Sequence, residues 1–191
     1  MEKRHVFLMG ERGIGKSTAI RALTDRLLAC GADIGGFKTV PGPAEAPGRD
    51  ALYLLPYRAG AGEPPLSAGR VAAVRDKTRS RYEAYAAVFD ELGAELLRRA
   101  ARCDLIVMDE LGFMEAEAHI FQAAVFSLLD GARPVLGVVK PPAASKKVAF
   151  LDRVRAHPNV RLVTLTRENR DGAQAYLYPL LARAMGLPAS P

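Results

Sequence analysis

The sequence predicts an α/β fold, a largely parallel central sheet with helices on both faces. Three observations carry that prediction. Short apolar runs alternate with helical-period segments along most of the 191 residues, as expected for strands buried on both faces and joined by crossover helices. Two of those runs end on chemistry: His5–Met9 on a glycine-rich turn, and the run from Asp104 on the acids Asp109 and Glu110. Ligands of open α/β sheets collect at such strand ends. The composition, 49% hydrophobic against 25% charged, belongs to a chain able to bury a core and excludes wholesale disorder.

Taken in order, His5–Met9 is a buried strand. Residues 17–29 form a helix with Ile20, Leu23, Leu27 and Leu28 on one face, stopped at Gly31. Residues 34–40 and 51–57 read as strands separated by the Pro/Gly-rich stretch 41–49, and a second such stretch covers 59–69. The segment of about 41–80 is therefore expected to be the least regular part, mobile or inserted. Tyr85, Val88, Phe89, Leu92, Leu96 and Leu97 recur at helical spacing, predicting a helix over 81–101. A strand over 104–109 follows, then a helix over 116–129, a strand over 134–139, a helix over 146–156, a strand over 160–165 and a last helix over 170–185. The tail 186–191 is expected to fray. No internal repeat is visible, and the length suits a single domain over residues 1–191.

Charge and cysteine usage exclude other classes. Basic residues number 27 against 21 acidic, a net charge of +6, which favours anionic partners. Apart from the run Arg75–Arg81 the two signs alternate, and only Tyr82 and Tyr85 offer aromatic platforms beside that run. A nucleoside triphosphate is thus the expected partner rather than nucleic acid. Two cysteines, Cys30 and Cys103, make no disulfide scaffold and are expected to pack rather than react. The few apolar-leaning residues before Gly10 fall far short of a signal peptide, and no run approaches the roughly 20 apolar residues of a membrane span. The expected location is the cytoplasm.

Gly10-Glu11-Arg12-Gly13-Ile14-Gly15-Lys16-Ser17 matches G-x-x-x-x-G-K-[ST], the P-loop, and sits between a predicted strand and a predicted helix. Glycines let the backbone wrap a phosphate so that its N–H groups and the helix N-terminus face the anion. Nucleotide binding is assigned to Gly10, Glu11, Arg12, Gly13, Ile14, Gly15, Lys16, Ser17 and Thr18, with Lys16 also catalytic through the β- and γ-phosphates. Ser17 and Asp109 are the expected ligands of Mg²⁺, the one cofactor assigned. Glu110 follows directly and is the expected water-orienting catalytic residue, once it lies past the strand end and escapes the alternation that would aim it at the other face. The fold class thereby narrows to a P-loop NTPase fold.

GERGIGKS at residues 10–17, GGFKT at 35–39, DELGFME at 109–115 and TRENR at 166–170 together resemble the THEP1-type nucleoside-triphosphatase family, in order and spacing over nearly the whole chain. The resemblance implies a small P-loop enzyme that hydrolyses several nucleoside triphosphates with loose base preference. Three departures stand out. Phe113 replaces the lysine that the family commonly carries in DEIGKME. Glu11 and Arg12 occupy P-loop positions where the family often has prolines. Val40-Pro41-Gly42-Pro43 follows Thr39, where the family tends to continue with an acid and an arginine.

The remaining candidates are weighed on position. Asn169 and Arg170 follow the predicted strand 160–165 on the edge that carries the P-loop, so they are nucleotide-side candidates; capping of the last helix is their other reading. Arg79 and Arg81 are possible donors of transition-state charge, or a charged helix start. Glu115, Glu117 and His119 do not fit the H-E-x-x-H zinc pattern and read as acids of a first helical turn, so no zinc is expected. The chain has no N-K-x-D guanine-reading sequence. The expected function is Mg²⁺-dependent hydrolysis of nucleoside 5′-triphosphates. The alternatives are a small P-loop kinase and a nucleotide-gated switch.

Overall fold

The computed structural model describes residues 3–44, 48–57, 64–76, 81–142 and 148–188. Its strands are β1 (His5–Met9), β2 (Ile34–Pro43), β3 (Arg49–Pro56), β4 (Val71–Asp76), β5 (Arg81–Ala84), β6 (Leu105–Leu111), β7 (Val135–Val139) and β8 (Val160–Thr164). They form one sheet in the order β5-β4-β3-β2-β6-β7-β1-β8. The five strands from β2 to β8 in that order are parallel, whereas β3, β4 and β5 extend the sheet as an antiparallel meander.

The helices are α1 (Lys16–Ala29), α2 (Ala86–Val88), α3 (Ala94–Ala100), α4 (His119–Asp130), α5 (Ala149–Ala156) and α6 (Ala173–Ala184). Alternate residues of the central strands feed two cores, which is why those strands read as continuous apolar runs. Val6 and Leu8 of β1 and Leu105 and Val107 of β6 pack with Ile20 and Leu23 of α1 and Leu177 and Leu181 of α6. Phe7, Ile106 and Met108 face the opposite layer, with Leu97 of α3, Phe121 of α4 and Phe150 of α5. Phe121 is central there, meeting Phe37 and Phe89 edge-on at 5.4 and 5.5 Å between ring centroids, the arrangement the ring quadrupole favours.

Several expectations change. The segment 41–80 is not irregular throughout: the strand expected over 51–57 is present as β3 over 49–56, and beyond that expectation β2 continues through Pro43 and 71–76 forms a strand. Tyr53 helps explain this, since its hydroxyl donates to the Pro43 carbonyl at 2.8 Å and ties β3 to the proline-rich end of β2. Residues 45–47, 58–63 and 77–80 of that segment lie outside the described residues. The helix expected over 81–101 starts late, because residues 81–84 pair with β4, Tyr82 opposite Arg75 and Ala84 opposite Ala73. It is also interrupted by a π-helical turn, Phe89–Gly93, between α2 and α3. The helix expected from Ala116 begins at His119, where Asp90 caps it by accepting the Phe121 N–H at 2.9 Å. α5 begins at Ala149, and residues 143–147 lie outside the described set. The last helix opens with a 3₁₀ turn over Arg170–Gly172 before α6. Residues 189–191 of the tail lie outside the described set.

Candidate active site

β1 ends at Met9, whose carbonyl accepts the Leu165 N–H at 2.8 Å, so the loop after β8 is tied to the start of the P-loop. Gly10 turns away at φ 142, and a Cβ there would lie 2.5 Å from the Leu165 carbonyl oxygen. Only glycine fits so close an approach. Ile14 is buried in the α1–α6 core and anchors the loop from below, while Glu11, Arg12 and Gly13 are exposed. Gly15 caps α1 at φ 107, with the Ala19 N–H donating to its carbonyl. The first turn of α1 holds no acid, which leaves the positive end of the helix dipole open to an anion. Thr18 is exposed in that turn.

The Lys16 ammonium donates to the Gly10 and Glu11 carbonyls at 2.9 and 2.8 Å, held over the mouth of its own loop. The Ser17 hydroxyl donates to Asp109 Oδ1 at 3.2 Å, across 92 residues of sequence. The Asp109 carboxyl is pushed up to about 6, by burial first and by repulsion from Glu110, against the pull of Ser17, Lys16 and Lys38. An acid raised in this way is short of positive charge. Ser17 and Asp109 offer hard oxygen donors suited to Mg²⁺, which takes one or two carboxylates and completes its shell with phosphates and water. Among the described residues no cluster of three or more His, Cys, Asp or Glu forms a protein-only metal cage.

β6 does not stop at Asp109. Between Met108 and Leu111 it holds one residue more than the facing stretch Gly137–Val139 of β7. Such a bulge re-aims side chains, and here it falls on Asp109 and Glu110. The strict alternation expected of a strand is thus broken without the strand ending. Glu110 Oε1 lies 3.4 Å from the Lys140 ammonium, just past β7. Lys140 was not singled out in the sequence, because one lysine after an apolar run carries no local signal. Lys38, opposite Asp109 on β2, lies within GGFKT, which by itself assigned it no role.

Glu115 is not an acid of a first helical turn. It is fully buried in the turn before α4, accepting the Gly112 N–H at 2.8 Å, with its other oxygen unpartnered. Burial pushes its carboxyl up to about 7. Asn169 is occupied within its own loop, accepting the Thr166 N–H at 2.8 Å and donating to the Thr164 carbonyl at 2.9 Å. Arg170 is half exposed, with Nε 3.6 Å from Asp171. The loop therefore borders the P-loop, and Asn169, although it stands at the N-cap of the 3₁₀ turn, makes no side-chain capping bond there and instead ties the loop back to the end of β8. Arg79 lies outside the described residues. Arg81 begins the edge strand β5, not a helix, and its neighbour Tyr82 meets Phe113 edge-on at 5.6 Å. Cys103 carries a thiol pushed up to about 11 by burial and by Asp33, which is no nucleophile. A cavity of about 620 Å³ lined by Asp33, Tyr57, Arg70 and Cys103 lies at the start of β2, on the opposite edge of the sheet.

No helix among the described residues is long and apolar enough to cross a membrane. The model of the family described as NTPase matches residues 5–177. A nucleoside-triphosphatase THEP1 from Methanosarcina barkeri is 28% identical over 170 residues, covering 87% of this chain and 91% of that protein. A cancer-related nucleoside-triphosphatase homolog from Bos taurus is 31% identical over 179 residues, covering 88% and 91%. The crystal structure of THEP1 from Aquifex aeolicus superposes with a TM-score of 0.65 over 93% of this chain and 98% of that one, at 23% identity, and shows the shared fold. The solution structure of a human cancer-related nucleoside triphosphatase does so at the same TM-score and 26% identity, over 91% and 95%. With a match that runs from the first strand into the last helix, the chain belongs to the NTPase family.

Proposed function

We propose that this chain is a single-domain, cytoplasmic enzyme that hydrolyses nucleoside 5′-triphosphates, ATP and GTP among them, to the diphosphate and phosphate with Mg²⁺. The observation that carries the reading is the contact between Ser17 and Asp109 beneath the P-loop, with Glu110 on the same bulge. The names of the relatives, all nucleoside-triphosphatases, support it.

The backbone N–H groups of residues 10–18 would surround the phosphates at the open end of α1. Lys16, released from the Gly10 and Glu11 carbonyls, would neutralise charge on the β- and γ-phosphates. Bound Mg²⁺ supplies charge neutralisation and orientation of the β- and γ-oxygens; Ser17 and Asp109 would hold it. Glu110 orients a water in line with the γ-phosphorus and takes up its proton. The bond from water oxygen to phosphorus forms as the bond to the β–γ bridging oxygen breaks, and that electron pair leaves with the nucleoside diphosphate. With no N-K-x-D sequence to read guanine, loose base preference is expected.

The test is phosphate release from ATP, GTP, CTP and UTP with Mg²⁺ and no phosphoryl acceptor, beside Glu110→Gln. Release from several triphosphates, falling at least about 100-fold in the variant with nucleotide binding retained, is the expected result. Tight binding without release by the parent would instead point to a kinase awaiting its acceptor or a nucleotide-gated switch awaiting its partner.

A further inference from the structure

We propose that Lys140 is a positioning residue of the hydrolytic site, holding the Glu110 carboxylate in place for the attacking water. The inference rests on the hydrolase reading and adds a residue outside every motif that led to it. Strand order supplies the first argument. β7 lies between β6, which carries Asp109 and Glu110, and β1, which leads into the P-loop. The residue just past β7 at the shared edge therefore stands between the two halves of the site, and that residue is Lys140.

Local contacts supply the second. The Lys140 backbone is held on both sides: its N–H donates to the Leu111 carbonyl at 3.1 Å, and its carbonyl accepts from Arg155 Nη1 at 2.6 Å. Its stem passes over Gly112, where a Cβ would lie 3.4 Å from Lys140 Cε. The ammonium sits 4.5 Å from the centroid of the Phe113 ring, a cation–π contact. It reaches Glu110 Oε1 at 3.4 Å. Phe113 thus forms part of the wall along which a lysine from another strand arrives.

Energetics supply the third. The Lys140 and Glu110 side chains are 36% and 32% exposed, and a pair so open to water adds little to fold stability. What the pair does is restrict a flexible glutamate on a bulge. Placement of a reacting group to within an ångström governs rate far more than affinity.

The experiment compares the full-length parent with Lys140→Met, Lys140→Arg, Glu110→Gln and the Lys140→Met/Glu110→Gln double variant. Each is assayed for kcat and KM with Mg·ATP and for melting temperature. Lys140→Met is expected to lower kcat about 10–100-fold, leaving KM within about twofold and the melting temperature unchanged. Lys140→Arg is expected to recover most of the rate, and the double variant to be no slower than Glu110→Gln alone, since Lys140 acts through that carboxylate. A purely structural lysine would not give this non-additivity. Parent-like kcat in Lys140→Met beside an inactive Glu110→Gln would overturn the inference and leave the hydrolase reading standing. A full further loss in the double variant would overturn it too, by showing that Lys140 acts independently. A parent-like Glu110→Gln would remove both.

Discussion

The two halves of the sheet are built differently and do different things. In the parallel half, β6, β7 and β1 end on one edge, and the candidate site lies at or just past those ends: Asp109 and Glu110, Lys140, and the P-loop. In the meander, β3, β4 and β5 reverse direction at each step, so their ends are shared between both edges. Its contribution is a wing of core. Leu54 joins the large cluster around Phe121, while Ala51, Tyr53 and Leu55 form a small separate cluster on the other face. A ring contact between the wing and the candidate site is Tyr82 against Phe113. Parallel strands concentrate chemistry by pointing the same way, whereas antiparallel ones add surface and stability.

The largest effect expected from that division is on Lys16→Ala. Losing the cation proposed to clamp the phosphates should lower phosphate release by about a thousandfold or more with an unchanged unfolding midpoint. Steady-state assay beside urea denaturation checks both halves of the statement. In the wing, Leu54→Ala should do the reverse, costing about 2–5 kcal/mol by leaving a cavity in the fully buried layer. The kcat of the folded enzyme should stay at the parent's value. A kcat that fell with stability would break the comparison and implicate the Tyr82–Phe113 contact as a coupling between the halves.

A smaller effect separates the two edges of the parallel half by pH. His5 opens β1 at the edge away from the P-loop, its Nδ1 accepting the Val135 N–H at 3.2 Å and its protonated Nε2 donating to the Leu129 carbonyl at 2.8 Å. Burial lowers its pKa from 6.5 to about 4. The unfolded chain takes up this proton first, so stability is whole above pH 6.5 and falls by up to about 3 kcal/mol as the pH drops to 4. Glu115, beside the site, has the opposite sign. Its pKa is raised from 4.5 to about 7, so its ionisation weighs on the fold above pH 7 and is relieved as the pH falls to 4.5. Between pH 7 and 5, His5→Gln should therefore gain stability relative to the parent, and Glu115→Gln should lose it. Urea midpoints at the two pH values decide the matter.

Legibility followed the same division. β1, α1, β7 and the body of β6 are continuous apolar runs or helical repeats, and a motif marks the ends of β1 and β6, whereas none marks Lys140 after β7. In the wing the strand over 51–57 was legible as β3, but the end of β2 was not, because Pro41, Gly42 and Pro43 look like a break, whereas antiparallel pairing and the Tyr53 hydroxyl keep that stretch in the sheet. Residues 81–84 were absorbed into the following helix because a four-residue edge strand has too few positions to show a period. Asn169 could be placed beside the P-loop from sequence, but its two hydrogen bonds within the loop depend on how the chain turns after β8.

The sequence by itself determined the fold class, the G-x-x-x-x-G-K-[ST] loop between the first strand and helix, and the expectation that Ser17 and Asp109 share one site. Each of these rests on local patterns of residue type, which the chain carries wherever it lies in space. Only the tertiary structure decided the bulge that carries Asp109 and Glu110, the burial of Glu115, and the arrival of Lys140 beside Glu110. Those depend on strand order and register, in which residues tens of positions apart become neighbours through backbone pairing that no single segment encodes.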